Sequence, residues 1–167
     1  MFQPSRTARY YYLRFLRLKG DPHTLARGIA IGVFIGVTPT IPLHTVLILM
    51  LAFLLRGNAI AGILASWVVS NPFTILLQYY FSWKVGSWLT QTDLSWSRIH
   101  QVTVLLTSGA GFQESIAAVA QLSGEAIITL VAGGILLAIP LAFAGYFLSF
   151  YFFRSIQVKR REKHILK

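Results

Sequence analysis

Long apolar stretches alternate with short polar interruptions along the chain. Residues 25–83 are almost wholly apolar, but proline-containing interruptions break this stretch at 38–42 and again at 70–72. A second apolar stretch covers 127–153, which is long enough to cross a hydrocarbon core about 30 Å thick. A soluble domain would expose too much of this surface to water, so the pattern predicts a membrane protein.

The first interruption predicts a helical hairpin that enters and leaves the membrane on the same side. Residues 25–55 contain two apolar arms of about 12 residues, each roughly 18 Å long as a helix and too short to span the bilayer. Pro39 and Pro42 separate the arms, because proline removes an N–H donor and restrains the residue before it. A single long span with a kink is the alternative for this stretch.

The remaining segments complete an all-α integral membrane protein. Asn71-Pro72 interrupts the second segment, residues 59–83, while the more polar residues 93–122 predict short amphipathic helices at the interface. The predicted fold is therefore a proline-broken, re-entrant hairpin with two transmembrane helices (59–83 and 127–153) and interfacial amphipathic helices. The predicted organisation is an interfacial helix, one membrane domain and a basic tail, over residues 1–20, 21–153 and 154–167.

Basic residues are concentrated at the two ends. The chain has 15 Lys and Arg against 5 Asp and Glu, and its 12% of charged residues is about half the usual share in soluble domains. Because basic residues flank apolar spans, we expect both termini to be cytoplasmic and no nucleic acid partner. We also expect no cleavable signal peptide.

The N-terminal residues 5–19 fit an amphipathic helix with arginines on one face and aromatic and apolar side chains on the other. Such a helix would lie in the cytoplasmic interface. The arginines would either contact lipid headgroups or act only as a topology anchor, and the anchor is the favoured interpretation. They are Arg6, Arg9, Arg14 and Arg17.

Small residues recur every four positions in both broken segments. In lipid, such spacing lets two helix backbones approach closely. We expect this packing to be within the chain rather than between copies. The two sets are Gly28, Gly32 and Gly36, and Gly62, Ser66 and Ser70.

These segments resemble a known bacterial family. The first shared motif is G-x-x-x-G-x-F-x-G-x-x-P, which here consists of Gly28, Gly32, Phe34, Gly36 and Pro39. The second and third are P-x-x-T, at Pro42 and Thr45, and R-x-N, at Arg56 and Asn58. The fourth is S-N-P-x-T, which consists of Ser70, Asn71, Pro72 and Thr74. It resembles the inner-membrane family catalogued as domain of unknown function 2062, over about residues 22–153. The resemblance implies a bacterial inner-membrane location. It also implies an envelope context, since members occur fused to or near glycosyltransferase-like and lipid-handling proteins, but no established activity.

The residue content does not predict an enzyme. Cysteine is absent, and the four histidines are scattered without metal-ligand spacing. No carboxylate lies inside the two broken segments, so the acidic relay that proton-coupled pumps use is missing. We therefore predict no catalytic residue, no metal and no cofactor.

Neutral polar side chains cluster at the two breaks. Broken helices expose N–H groups and positive dipole ends that can hold anionic groups, so we predict an anion or lipid-headgroup site there. The alternative is that these side chains merely satisfy carbonyls freed by the prolines. The predicted ligand-binding residues are Arg27, Thr38, Thr40, His44, Thr45, Arg56, Asn58, Ser70, Asn71, Thr74 and Gln78.

Two functions follow from this pattern. The first is a membrane protein that binds or translocates an anionic, phosphate-bearing lipid or a small anion without ATP. The second is a non-catalytic scaffold that packs against an envelope enzyme through its glycine faces. We expect membrane lipids as partners and a homo-oligomer, because so small a chain encloses little interior.

Overall fold

The structure is a computed structural model that describes residues 18, 20–40, 43–91, 95–107, 111–120, 122 and 124–165. Within them the chain forms helices and no strand, so the all-α class is confirmed. The predicted N-terminal helix with its four arginines lies outside the described residues. The helices are α1 (Pro22–Val37), α2 (His44–Leu54), α3 (Ala59–Val69), α4 (Pro72–Thr90), α5 (Trp96–Thr107), α6 (Phe112–Ala120) and α7 (Gly124–Ile165).

Helix α1 begins and ends on local signals in the sequence. The Asp21 carboxylate accepts a hydrogen bond from the backbone N–H of Thr24 at 3.2 Å, and Pro22 occupies the first turn. At the other end, the hydroxyl of Thr38 donates to the carbonyl of Phe34 at 2.8 Å as the backbone becomes extended. Pro39 follows and prevents the helix from continuing.

Helix α1 lies between α3 and α7 and makes its most extensive contacts with them. A Cβ atom on Gly28 would lie well inside 3.0 Å of the Asn58 carbonyl oxygen, and one on Gly32 would do the same to Gly62. The two backbones therefore touch along this face. The prediction that the glycine face packs within the chain is confirmed.

The turn between α2 and α3 brings the chain back to the start of α1. The Asn58 N–H donates to the Thr24 carbonyl at 2.9 Å, and the Gly57 N–H donates to Ala52 at 2.8 Å. Helices α1 and α2 thus form a hairpin. Because Asn58 lies against Gly28 while Ser70 bonds to Gly36, α3 runs parallel to α1.

Helix α7 runs antiparallel to α1 and also crosses α4. Leu25 and Phe153 belong to one buried cluster at the start of α1. A Cβ atom on Gly145 would contact Val33 at 3.3 Å, farther along α1. At the opposite end of α7, Gly133 and Thr129 pack directly on the α4 backbone. The residues of α4 at this crossing are Ser82 and Gly86.

By length and composition, the segment Gly124–Val158 of α7 can cross a membrane. Helices α3 and α4 would qualify together as one broken span, bent by 87°. Helices α1 and α2 are apolar but shorter. Many large apolar side chains point outward, including Phe53 at 86% exposure and Leu148 at 73%.

The last three helices can be compared with the predicted segments. Helix α7 continues through Pro140 and past residue 153 to Ile165, so the basic segment after Arg154 begins as helix. Helices α5 and α6 coincide with the short amphipathic helices predicted within 93–122. Their placement at a membrane interface stays a prediction.

Candidate functional site

The first break, at the tip of the α1–α2 hairpin, holds a short polar network. The Thr40 hydroxyl lies 3.3 Å from Nδ1 of His44 and 3.4 Å from the carbonyl of Ile35. His44 is half-buried and Thr45 is exposed, whereas Thr38 is buried. Ile41 and Pro42 lie outside the described residues.

Helix α2 begins without a side-chain cap among the described residues. Its N-cap is Leu43, which offers no side-chain acceptor to the first N–H groups. Helices α1 and α3 differ, because Asp21 and Asn58 cap them. The start of α2 therefore presents N–H groups and a positive dipole end next to His44 and Thr45.

At the second break, polar side chains are used within the chain. Gln78 donates through Nε2 to the carbonyl of Val69 at 2.9 Å, and the Thr74 hydroxyl donates to the same carbonyl. The side-chain oxygen of Asn71 accepts from the Thr74 N–H at 3.2 Å and so caps α4. This break fits the alternative that its side chains satisfy backbone groups freed near Pro72.

The two breaks lie next to each other. The Ser70 hydroxyl donates to the carbonyl of Gly36 at 2.7 Å, which joins the end of α3 to the end of α1. Pro39 packs on Gly134 of α7, where a Cβ atom would collide with the proline ring. Thus α1, α3 and α7 come together at this end, with both interruptions beside them.

Three predicted site residues lie at the opposite end of α1. Arg27 and Arg56 are exposed there, and Arg56 has a positive φ of 51°. Asn58 caps α3 by accepting from the Ala61 N–H at 2.9 Å. Because α1 has 16 residues, about 24 Å separates its ends. The structure therefore does not bring these three residues to the breaks.

A cavity that the sequence did not predict lies between α1 and α7. It has a volume of about 310 Å³ and apolar walls, formed by Ala30, Ala142, Phe143, Tyr146 and Phe147. Its sequence signal is an alanine on each of two helices, which is too common to single out. Among the described residues, no three His, Asp or Glu side chains come together to hold a metal ion.

These observations define the class as a small all-helical protein with one membrane-capable helix and two adjacent helix breaks. The chain belongs to the family described as "Uncharacterized protein conserved in bacteria (DUF2062)", whose model matches residues 5–162. The family predicted by resemblance is therefore confirmed. Neither a curated protein nor a solved structure matches the chain.

Proposed function

We propose that this chain is a multi-pass protein of the bacterial inner membrane that binds an anionic, phosphate-bearing lipid or small anion at the first break and lets it cross. The chain carries this out without catalysis, cofactor or ATP. The proposal rests on one observation above all. The start of α2 has N–H groups without a side-chain cap, with His44 and Thr40 beside them.

Exposed apolar surface supports the membrane location. Helix α2 presents Leu49, Met50 and Phe53 outward, and α7 presents Phe143 and Leu148. In water, outward-facing apolar side chains of this size favour association or aggregation. In a bilayer these side chains contact lipid acyl chains, which are equally apolar, so their exposure carries no free-energy penalty.

Packing between the ends of the chain supports cytoplasmic termini. The Gln157 side chain donates to the carbonyl of Gly20 at 2.8 Å, and Nδ1 of His23 lies 3.0 Å from the Tyr146 hydroxyl. The segment before α1 and the last part of α7 therefore lie at the same end of the bundle. Both are continuous with basic segments, which favour the cytoplasmic side.

Lipid movement across reconstituted vesicles tests the proposal. The full chain would be incorporated into liposomes with fluorescent phosphatidylglycerol, and an impermeant quencher would report lipid that crosses. We expect the parent protein to speed crossing, and Thr40→Val with His44→Ala to reduce it about tenfold through loss of the polar network. Ser155→Ala, at the other end of α7, is the matched control.

Two results would overturn the site. One is crossing no faster than in protein-free vesicles. The other is unchanged crossing by the Thr40→Val, His44→Ala variant. A parallel titration with inorganic phosphate distinguishes a small-anion site from a lipid site, because only the small-anion site saturates with free phosphate.

A non-catalytic scaffold for an envelope enzyme is the second candidate. It is favoured by the second break, where Asn71, Thr74 and Gln78 bond to the chain's own backbone, as a purely structural role requires. Under this candidate the protein does not accelerate lipid crossing. A stoichiometric protein partner is then retained when the complex is gently extracted and weighed by native mass spectrometry. The same measurement reports whether the chain forms the homo-oligomer we propose.

A further inference from the structure

The apolar cavity between α1 and α7 has the features of a site for one acyl chain. We propose that a phospholipid with an anionic headgroup inserts a chain here and places its phosphate beside Arg27 and Arg154. The inference rests on the membrane location in the proposed function. It concerns a site at the other end of α1 from the first break.

The walls of the cavity suit a hydrocarbon chain. Ala30 and Ala142 are small, which leaves room between the helices, and Phe143 and Phe147 border this space. Both phenylalanines are also outwardly exposed, at 64% and 53%. The cavity is therefore open on the side where a membrane protein meets lipid.

Two arginines lie beyond the cavity toward the same end of the bundle. Arg27 precedes Ala30 by three residues, so it lies about 4.5 Å along α1 on nearly the same face. Arg154 follows Phe147 by seven residues, about 10.5 Å along α7, again on nearly the same face. Because the helices are antiparallel, both steps lead in one direction, toward the end where Leu25 packs with Phe153.

The charge at this end is complementary to a phosphate. Arg27 and Arg154 are exposed, and neither bonds to another side chain among the described residues. The nearby carboxylate of Asp21 is engaged at the start of α1. Arginine pairs bind phosphate oxygens through several charge-assisted hydrogen bonds.

Polar aromatic side chains lie at the charged end of the cavity. The Tyr146 hydroxyl lies 3.0 Å from Nδ1 of His23, and the His23 ring packs 4.4 Å from the ring of Phe150. Amphipathic rings of this kind are typical of headgroup depth. Along α7 the order is Phe147 at the cavity, then Phe150, then Arg154, whereas on α1 Arg27 lies between Ala30 and His23. A lipid chain in the cavity would therefore have its headgroup beside polar aromatic rings and both arginines.

A second copy of the chain is the competing occupant of this cavity. A symmetric contact through this face would bring two arginines from each copy together, with Asp21 as the one carboxylate per copy at this end of α1 among the described residues. Like charges in such a contact destabilise it, whereas an anionic lipid is attracted. The charge therefore favours lipid.

Lipid titration followed by native mass spectrometry tests the site. The delipidated full chain would be titrated with phosphatidylglycerol and with phosphatidylcholine of the same acyl chains. We expect the parent to prefer phosphatidylglycerol. We expect the double variant Arg27→Gln, Arg154→Gln to bind one of its lipids about tenfold more weakly, and Ala142→Leu to lose one bound lipid by filling the cavity. Matched controls are Lys84→Gln on α4 and Ala144→Leu on the outer face of α7.

Each other outcome contradicts the site. Equal binding of both lipids, parent-like binding by the arginine variant, or a dimer in place of bound lipid would overturn it. The arginines are exposed, so their replacement tests the site even if Ala142→Leu fails to fold.

The lipid site and the proposed function can fail separately. If the Thr40→Val, His44→Ala variant loses lipid crossing but still binds phosphatidylglycerol at the cavity, this inference stands and the first break is needed only for crossing. Normal crossing by the arginine variant with unchanged retention would refute the inference and leave the proposed function standing.

Discussion

Gly32 of α1 and Gly62 of α3 meet backbone to backbone, so closely that a Cβ atom on Gly32 would overlap the Gly62 carbonyl. The contact continues at Gly28 against Asn58 and at Gly36 against Ser70. The parallel packing of α1 and α3 therefore depends on the absence of side chains at these positions. This relationship sets the position of both breaks, since each lies at the end of one of the two helices.

Gly32→Ala is expected to destabilise the folded protein by about 1–3 kcal/mol or more, because α1 and α3 must separate to admit a methyl group. Gly124→Ala is the matched control, since a Cβ atom there meets nothing within 4 Å. Thermal unfolding of the detergent-solubilised protein measures both variants. Equal melting temperatures for the two would show that the close α1–α3 contact does not exist.

This contact changes the use of larger substitutions at the glycine face. Under the scaffold candidate, Gly32→Leu and Gly62→Leu are natural substitutions for testing whether a protein partner is still recovered. Because both glycines lie inside the chain, each substitution disrupts the fold first. Loss of a partner in these variants would therefore carry no information about the partner's own contact surface.

The crossing of α4 and α7 predicts a graded response. Gly133→Ala should destabilise strongly, because the new Cβ atom would collide with the Ser82 carbonyl. Gly145→Ala should change the unfolding free energy by less than about 1 kcal/mol, since its nearest neighbour is a Val33 methyl at 3.3 Å. Melting temperatures of the two variants check this order, and the reverse order would contradict the helix packing.

We expect Asn71→Ala to lower the free energy of unfolding. The Asn71 side chain caps α4, and loss of a cap costs about 0.5–2 kcal/mol. Lipid crossing per folded molecule should stay unchanged if the transported group binds only at the first break. Crossing that falls more than the folded fraction would show that the second break also contacts the ligand.

Sequence reasoning predicted the helices, both interruptions and the internal glycine face. Helical period, proline and small-residue spacing are local signals, and each acts within a few residues. It did not predict that Asn58 returns to Thr24, or that Gln78 bonds to Val69. Those partners are set by tertiary packing, which a single sequence leaves open.

The predicted site residues lie at two ends of α1 for the same reason, because tertiary packing decides which distant residues meet. From the sequence, Arg27 and Arg56 lie at the ends of helical segments, where they could add charge at the rim of a site, and Asn58 belongs to the same polar turn as Arg56. Whether such residues meet depends on how the arms fold back. The hairpin places these three at the α1 start, away from His44. The cavity between Ala30 and Ala142 was missed for a similar reason, because it exists only where two distant helices cross.

The α1–α2 hairpin returns Arg56 to the end of the bundle that holds Gly20 and Gln157. In a membrane, this arrangement places Arg56 on the same side as both termini. The chain has no cysteine, so single cysteines can be introduced and labelled in intact bacterial cells and in inverted vesicles with a reagent that cannot cross the membrane. We predict that Arg56→Cys and Ser155→Cys react only from the cytoplasmic side and Ser97→Cys only from the outside. Labelling of Arg56→Cys from the outside would contradict the account, because residues 25–55 would then cross the membrane once instead of returning.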